Sequence, residues 1–262
     1  MKVRTVENVE VTDLSSKGLG VGRSGELVVF VEGAVPGDVV DVRIVKKRRS
    51  FKQGIITNFR QRSPFRIDPF CEHFGVCGGC KLQNIEYTRQ LEYKQKSVQD
   101  AFHKSGFAGD VNILPIVPSP QTTSYRNKLD YSFIDQQYVT EEEFLSGIKG
   151  EPGIGFHVPG RFNKVVDVKK CWLQDDLTNQ IRLYIHQICS DKDIPYFNPK
   201  DQTGLMRSLI IRNSTLGEWM VALVFCERNE KVITLLMDAL KNEFPQITSL
   251  LYVINPKRND TI

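Results

Sequence analysis

Residues 39–45 read Val-Val-Asp-Val-Arg-Ile-Val, and this stretch sets the pattern of the first part of the chain. Branched apolar residues alternate there with Asp41 and Arg43, which is the period of a strand with one buried face. Four more short segments of this kind lie at 7–11, 18–22, 27–31 and 54–59, with turn signals at 15–16, 24–25 and 36–38. Five short strands predict a small closed barrel of the oligonucleotide-binding (OB) kind. Such a fold does not by itself establish nucleic-acid binding.

The positive charge of the protein is concentrated in the same region. The chain has 262 residues and a formal net charge of +4, and residues 1–70 contain thirteen Lys and Arg against eight Asp and Glu. Between positions 43 and 66 there are nine basic residues and no acidic one: Arg43, Lys46, Lys47, Arg48, Arg49, Lys52, Arg60, Arg62 and Arg66. A run of one sign along a strand edge is typical of a surface that binds a phosphate backbone. The alternative is an edge strand whose lysines only prevent aggregation.

A cysteine-rich loop follows the barrel. Residues 71–83 read Cys-Glu-His-Phe-Gly-Val-Cys-Gly-Gly-Cys-Lys-Leu-Gln, so three of the six cysteines fall within ten residues. Structural zinc sites usually combine two short-spaced ligand pairs, and only one triplet is present here. A cubic iron-sulfur cluster held by three cysteines of one loop and one distant cysteine suits this spacing better. Zinc, and thiols that bind no metal, remain the alternatives.

The fourth ligand would come from Cys171, Cys189 or Cys226. Cys171 lies between a predicted strand and a predicted helix, where a side chain can face a cluster. Cys189 and Cys226 lie within apolar patterns and are expected to be small core residues. Disulfides would need an oxidising compartment, which nothing in the sequence indicates.

Several motifs in order resemble one family. The basic barrel, the C-x5-C-G-G-C-x-L-Q loop, Tyr-Arg-Asn-Lys at 125–128 and the lone Cys171 are similar to the N-terminal half of the RNA uridine-5 methyltransferases, of the 23S rRNA uracil-5-methyltransferase type. The resemblance covers essentially the whole chain. It implies that the barrel is a TRAM domain, an RNA-binding module, and that a [4Fe-4S] cluster is held by Cys71, Cys77, Cys80 and Cys171.

Charge and resemblance together predict the RNA-binding side chains. Arg126 and Lys128 flank a strand start beside Tyr125, and arginine next to an aromatic side chain can stack on unpaired bases. An ordinary strand start with surface cations is the alternative. The full set of expected RNA contacts is Arg43, Lys46, Lys47, Arg48, Arg49, Lys52, Arg60, Arg126 and Lys128. The expected partner is large-subunit ribosomal RNA, because the resembling branch that acts on bacterial transfer RNA generally lacks both the barrel and the cysteines.

The predicted fold class is α+β, with an OB-like (TRAM) barrel at 1–62 and an iron-sulfur α+β domain at 63–262. Strands are expected at 129–133, 165–168, 208–212, 219–225 and 249–254, and helices at 86–104, 175–189 and 230–242. In the resembling family the helix equivalent to 86–104 packs on the methyltransferase domain. Its apolar stripe is therefore expected to be partly without a packing partner in this chain.

No catalytic residue is predicted. A glycine-rich loop between a strand and a helix, which would hold S-adenosylmethionine, is not found, and residues 150–155 read as a turn that leads into a strand. The nucleophilic cysteine of the resembling family precedes Asn-Pro, and neither Cys189 nor Cys226 does. We therefore expect an N-terminal fragment that is inactive alone, from an RNA uracil-5-methyltransferase that binds S-adenosylmethionine only as the full-length protein.

The composition is that of an ordinary soluble protein, with 25% charged and 40% hydrophobic residues. We expect a cytoplasmic monomer that binds neither membranes nor DNA, since no apolar run approaches the ~18 residues of a membrane span. Two other functions stay open. One is a stand-alone RNA-binding module with zinc or an iron-sulfur cluster, and the other is an iron-sulfur redox carrier, which would not need the basic run.

Overall fold

A computed structural model describes residues 5–107 and 111–257. The chain forms two compact units, one of residues 1–75 and 80–120 and the other of residues 76–79 and 121–262. The domain limits predicted from the sequence, 1–62 and 63–262, stay a prediction. The first compact unit also contains residues 63–75 and 80–120, which the prediction assigned to the second domain. Within the described residues, no helix is both long and apolar enough to span a membrane.

The first unit contains a closed five-stranded barrel. Its strands are β1 (Thr5–Leu14), β2 (Gly20–Ser24), β3 (Leu27–Glu32), β4 (Val39–Lys47) and β5 (Phe51–Gln61). They are ordered β1-β2-β3-β5-β4, and β1 pairs with β4 to close the ring. Only β3 and β5 run parallel to each other among these neighbours. The five strands predicted from alternation are thus confirmed as a barrel.

Valines fill the barrel interior. Val9, Val29, Val31, Val40 and Val42 are all fully buried in one cluster. They alternate with polar or half-buried residues along each strand, since successive side chains of a strand point to opposite faces. Partly buried apolar residues from β1, β4 and β5 cover this cluster. The interior is therefore a packed core, and ligands must bind on the outside of the barrel.

Helix α1 (Tyr87–Lys104) follows the cysteine loop in the same unit and agrees with the predicted helix at 86–104. All of α1 is described, and none of its residues is buried. Val98 and Phe102 on its apolar stripe are exposed. The packing of this helix on a methyltransferase domain remains a prediction.

The second unit is built on a six-stranded mixed sheet. Its strands are β6 (Lys128–Ile134), β7 (Gly153–His157), β8 (Val165–Asp167), β9 (Met206–Asn213), β10 (Trp219–Phe225) and β11 (Ile247–Ile254), in the order β11-β10-β9-β6-β7-β8. Helices α2 (Glu141–Leu145), α3 (Asp176–Asp191) and α4 (Glu230–Glu243) connect them. Only β10 and β11 are parallel, with α4 as their crossover. This mixed arrangement confirms the α+β class.

One segment of the second unit differs from its prediction. Residues 150–155 were expected to form a turn, but Gly153 and Gly155 belong to β7 and are buried. At Gly155 a side chain would collide with the backbone carbonyl of Val166 on β8. Glycine is therefore required at position 155 because β7 and β8 approach each other closely there. It does not mark a turn.

Candidate nucleic-acid interface and cysteine sites

Five cations gather at one end of the barrel, where β4 turns into β5. Lys46 and Lys47 end β4, Arg48 and Arg49 lie in the turn, and Lys52 begins β5. We call these five residues the basic tip. Lys47 is paired with Lys52 across the two strands, and the Arg48 N–H donates to the Phe51 carbonyl over 2.8 Å.

The basic tip is open to solvent and lacks opposing charge. Its members are exposed except Lys52, which is half-buried and donates to Ser24 Oγ over 3.3 Å. None of the five forms an ion pair with a carboxylate of the described residues. Arg43 is also exposed, further along β4. Uncompensated cations on a rigid hairpin end can contact phosphates at little cost in desolvation.

Other members of the basic run are compensated by acidic residues from elsewhere in the barrel. Arg60 Nε lies 2.8 Å from Asp41 Oδ2, and Arg60 Nη2 lies 3.8 Å from Glu7 Oε2. Arg66 forms charge-assisted hydrogen bonds with the fully buried Asp38. The run between positions 43 and 66 is therefore not one unopposed surface, which corrects the interpretation from sequence. The assignment of Arg60 to RNA stays a prediction that its ion pairs do not favour.

An aromatic pair beside the basic tip was missed in the sequence. Phe30 lies between Val29 and Val31, which face the core, so its ring lies on the outer face of β3. Its centroid is 5.5 Å from that of Phe51 in an edge-to-face arrangement. Both rings are half-buried. The sequence contained a signal for this pair, because an aromatic residue at an outward position of a predicted strand is a candidate base-stacking group.

In the second unit, Arg126 and Lys128 lie at the start of β6. Arg126 is exposed, and its backbone N–H donates to the Leu173 carbonyl over 2.8 Å. Lys128 Nζ lies 2.7 Å from Asp130 Oδ2. Of these two predicted RNA contacts, Arg126 thus has the less compensated charge.

The predicted cluster ligands are thiols. None of the six cysteines, all within the described residues, forms a disulfide. Cys71, Cys77 and Cys80 are half-buried, whereas Cys171 is buried. Across the described ranges, no group of three or more His, Cys, Asp or Glu side chains is arranged to hold a metal ion. The predicted convergence of four sulfurs is therefore not shown.

The glycine pair of the cysteine loop nevertheless has a definite role. The Gly78 N–H donates to the His157 carbonyl over 3.2 Å, and a Cβ at Gly78 would lie 2.6 Å from that oxygen. The Gly79 N–H points at Cys77 Sγ over 3.4 Å. Backbone N–H groups directed at cysteine sulfur are the kind of hydrogen bond that tunes iron-sulfur clusters.

Cys171 is held in place by helix α3. Asn179 forms two hydrogen bonds with its backbone, since Cys171 N–H donates to Asn179 Oδ1 over 2.8 Å and Asn179 Nδ2 donates to the Cys171 carbonyl over 3.0 Å. One helical turn further on, Arg182 Nη2 donates to the Lys169 carbonyl over 2.9 Å. Asn179 and Arg182 are both buried. The backbone around Cys171 is therefore fixed from one face of α3.

Three buried polar atoms of Tyr131 and Arg182 lack a well-aligned hydrogen bond within the described part of the chain, and the Arg182 guanidinium lies over the Tyr131 ring, 5.6 Å from its centroid. They are the hydroxyl oxygen of Tyr131 and the Nε and Nη1 atoms of Arg182. Burial raises the pKa of Tyr131, and the Cys171 thiol raises it further. Desolvation lowers the pKa of Arg182, which Tyr131, Asp167 and Cys171 partly counteract. Tyr131, Arg182 and Cys171 therefore interact electrostatically in the interior of the second unit.

The two remaining cysteines are not part of either site. Cys189 is buried in α3, and burial raises the pKa of its thiol to about 12. Cys226 is half-buried after β10, and desolvation raises the pKa of its thiol. A raised pKa makes a thiol a poor nucleophile at neutral pH.

Comparison with known proteins settles what the barrel is. Residues 1–57 match the TRAM domain. The barrel strands β1 to β5 begin and end at Thr5 and Gln61, so the match covers almost all of the barrel. The TRAM domain expected from the sequence is confirmed.

Relatives described as uncharacterized RNA methyltransferases match nearly the whole chain. A Bacteroides thetaiotaomicron protein is 41% identical over 95% of the chain and 56% of its own length. A Porphyromonas gingivalis protein is 43% identical over 97% of the chain and 56% of its own length. A Halalkalibacterium halodurans protein is 34% identical over 95% of the chain and 52% of its own length. The chain thus spans about half the length of the curated relatives it matches.

The fold is similar to that of a solved enzyme. The Pyrococcus abyssi tRNA (uracil-54, C5)-methyltransferase, solved with S-adenosyl-L-homocysteine, has a TM-score of 0.67 and 23% identity over 97% of this chain and 52% of its own. The expectation that this chain is inactive alone is contradicted, because named RNA methyltransferases and this enzyme's fold align along almost all of the chain, over 52–56% of their own length.

Proposed function

We propose that this protein is an S-adenosylmethionine-dependent RNA methyltransferase that methylates C5 of uridine and binds its RNA through the TRAM domain. The relatives' names support RNA methylation, and the solved tRNA (uracil-54, C5)-methyltransferase with its bound S-adenosyl-L-homocysteine supports the uracil C5 position and the cofactor class. S-adenosylmethionine supplies the methyl group when bound. The residues described here contribute RNA binding and positioning.

The proposed RNA binding is supported mainly by the basic tip, whose positive charges are not compensated by carboxylates of the described residues. Five cations on one hairpin end neutralise phosphates without breaking any ion pair within the described barrel. The adjacent pair of Phe30 and Phe51 supplies ring surface on which an unpaired base can stack. Phosphate contacts beside a stacking surface favour single-stranded or looped RNA.

We also propose that Cys71, Cys77, Cys80 and Cys171 hold a [4Fe-4S] cluster. Four thiols outside disulfides are the correct donor set, and the Gly79 N–H directed at Cys77 Sγ is the kind of hydrogen bond that a cluster ligand accepts. The cluster is not assigned any step of methyl transfer.

Large-subunit ribosomal RNA is the proposed substrate, on the strength of a basic barrel combined with four cysteines. Transfer RNA is the competing substrate, since the structural neighbour is a transfer RNA enzyme. Deleting the gene should remove 5-methyluridine from large-subunit ribosomal RNA, measured by mass spectrometry of nucleosides from purified RNA fractions. Transfer RNA should keep its 5-methyluridine, and the wild-type gene should restore the lost nucleoside.

Two outcomes of the deletion would contradict the proposal. Loss of 5-methyluridine from transfer RNA alone would show that the substrate is transfer RNA and not large-subunit ribosomal RNA. Unchanged 5-methyluridine in both fractions, with RNA binding retained by the purified protein, would instead favour the stand-alone RNA-binding module. In a complementation series, Lys46→Ala/Lys47→Ala/Arg48→Ala/Arg49→Ala should restore less of the nucleoside than wild type.

A further inference from the structure

The turn between β7 and β8 (residues 158–164) presents an aromatic side chain to solvent. The side chain of Phe162 is 71% exposed. It contributes little to the free energy of folding, because a phenyl ring stabilises a protein mainly when it is buried. Single exposed apolar residues are common, so exposure alone assigns no function to Phe162. The rigidity, the charge and the position of the turn point to a partner.

Backbone hydrogen bonds hold Phe162 in a fixed place. The Arg161 N–H donates to the Val158 carbonyl over 3.0 Å, and the Lys164 N–H donates to the Arg161 carbonyl over 3.3 Å. The Val158 N–H closes the loop by donating to the Lys164 carbonyl over 3.0 Å. Gly160 has a φ of +75°, as the third residue of a type II turn requires. An aromatic ring on such a rigid support can bind with little loss of conformational entropy.

The turn carries two cations beside Phe162. Arg161 is exposed, and its guanidinium lies 5.5 Å from the centroid of the Tyr138 ring. Lys164 is half-buried, with its Nζ 3.5 Å from the Gln136 carbonyl oxygen. Neither cation forms an ion pair with a carboxylate in the part of the chain that the structure describes. A ring next to uncompensated positive charge suits a nucleic-acid base and its phosphates.

Strand register places the β7–β8 turn at the same edge of the sheet as the start of β6. Strands β6 and β7 are antiparallel, with Ser132 opposite Gly155. The carboxyl end of β7 therefore lies beside the amino end of β6, which the exposed Arg126 and the 55% exposed Tyr125 precede. Since Arg126 is an expected RNA contact, one RNA segment that lies along this edge would reach both Arg126 and the turn.

We propose that Phe162 is a base-stacking residue, and that the sheet edge formed by the β7–β8 turn and the start of β6 holds an unpaired segment of the substrate RNA. This inference rests on the proposed RNA methyltransferase function. Phe162 stacks on one unpaired base, and Arg161 contacts a phosphate beside it. Bases are available for such stacking in loops and bulges. An enzyme that modifies a base must reach it outside the helix, so a held neighbouring base positions the reactive uridine.

A second exposed phenylalanine provides the matched control. Phe144 in α2 is 70% exposed and belongs to the same unit, but it follows three consecutive glutamates at 141–143. Like charges repel, so a phosphate backbone is not expected at this acidic segment. Phe144→Ala therefore removes an equally exposed ring without loss of RNA binding.

Three substitutions of Phe162 separate stacking from apolar contact. Phe162→Ala removes the ring, Phe162→Leu keeps an apolar side chain without an aromatic face, and Phe162→Trp supplies a larger aromatic face. Affinity is measured by fluorescence anisotropy with two labelled RNAs, a hairpin with an unpaired uridine-containing loop and a fully paired duplex. In a second series, 2-aminopurine replaces one loop base at a time, because its fluorescence is quenched when it stacks on an aromatic ring.

The variants should differ only toward the looped RNA. Phe162→Ala and Phe162→Leu should bind the hairpin about 5-fold to 150-fold more weakly than wild type, since one base–aromatic stack is lost. Phe162→Trp should bind it at least as tightly as wild type, and Phe144→Ala should match wild type. Affinity for the duplex should not change. One loop position should lose its 2-aminopurine quenching in Phe162→Ala.

Salt dependence distinguishes the ring from its neighbouring cation. Phe162→Ala should keep the wild-type slope of log affinity against log salt, because it removes no phosphate contact. Arg161→Ala should reduce that slope by about 0.7. The melting temperature of Phe162→Ala should equal that of wild type, since the ring is exposed.

Several results would overturn the inference. Phe162→Ala with wild-type affinity for the hairpin would remove Phe162 from the RNA-binding surface, while RNA binding by the wild-type protein would still support the proposed function. Full affinity of Phe162→Leu, or equal losses in Phe162→Ala and Phe144→Ala, would show that the contact is not aromatic stacking at this turn. Self-association that Phe162→Ala abolishes with unchanged RNA affinity, measured by light scattering, would assign the ring to a contact between copies of the chain. A wild-type protein that binds neither RNA would instead refute the proposed function itself.

Discussion

Arg60 and Asp41 face each other on neighbouring strands of the barrel, with Arg60 Nε 2.8 Å from Asp41 Oδ2. Asp41 also accepts a hydrogen bond from the backbone N–H of Asn8 over 3.1 Å and one from Asn58 Nδ2 over 3.2 Å. One carboxylate thereby joins β1, β4 and β5. Arg60 belongs to this network, whereas the basic tip does not.

Replacing Arg60 should therefore affect the barrel more than RNA binding. Arg60→Ala removes one partner of Asp41, so its melting temperature should be lower than that of wild type. Its RNA affinity should change by less than about twofold, because the charge is already compensated. Arg49→Ala, which removes an exposed cation of the basic tip, should show the reverse pattern. Thermal denaturation and fluorescence anisotropy with labelled RNA measure the two effects.

The same carboxylate makes the barrel sensitive to acid. Hydrogen bonding from Asn8 lowers the pKa of Asp41, helped by Asn58 and Arg60 and opposed by desolvation. A lowered folded-state pKa contributes stability that is present above the unfolded value of about 3.9 and is lost as pH falls below it. The melting temperature of wild type should fall below pH 4. Asp41→Asn should show a shallower fall, and an identical pH dependence would refute this role.

Asp38 should be the most sensitive charged residue of the barrel. It is fully buried, and its carboxylate accepts from Arg66 and from the backbone N–H groups of Val35 and Ser63. Asp38→Ala should lower the free energy of unfolding by about 3–5 kcal/mol, since it leaves these donors unsatisfied. Urea denaturation measures the change, with the exposed Asp68→Ala as control. A loss equal to that of the control would contradict the prediction.

The barrel and the basic tip were predictable because both are local in sequence. Strict alternation marks the strands, and Lys46 to Arg49 are consecutive, so any hairpin turn there brings them together. The compensation of Arg60 and Arg66 was not predictable, because their partners lie 19 and 28 residues away. Strand register, which alternation does not fix, decides such pairs.

The same limit applies to the second unit. Cys171 was singled out by its place between two elements, and the clamp by Asn179 agrees with a side chain whose position is controlled. The contact of Tyr131 on β6 with Arg182 on α3 joins positions 51 residues apart in the chain and left no local signal. The start of strand β7 was predicted as part of a turn because its glycines, which serve close strand approach, resemble turn glycines in the sequence.

Arg126 and Lys128 should contribute unequally to RNA binding. Lys128 already pairs with Asp130, so Lys128→Ala should reduce affinity less than Arg126→Ala. A base contact by Arg126 should be worth about 1–3 kcal/mol, and its loss should reduce discrimination between RNA sequences. Competition binding with the proposed substrate RNA and a scrambled RNA measures this. Equal losses for both RNAs would show that Arg126 contacts only phosphate.

RNA is proposed to bind at the basic tip of the TRAM barrel. Affinity measured against salt concentration tests it most directly, because each phosphate contact to a single strand contributes about 0.7 to the slope of log affinity against log salt. The quadruple variant Lys46→Ala/Lys47→Ala/Arg48→Ala/Arg49→Ala should therefore flatten the slope by up to about 3. Its charge-matched control replaces four exposed lysines of the second unit by alanine: Lys149, Lys200, Lys231 and Lys241. We expect a flattened slope for the quadruple variant and a wild-type slope for the control. Equal slopes for all three proteins would show that RNA does not bind at the basic tip.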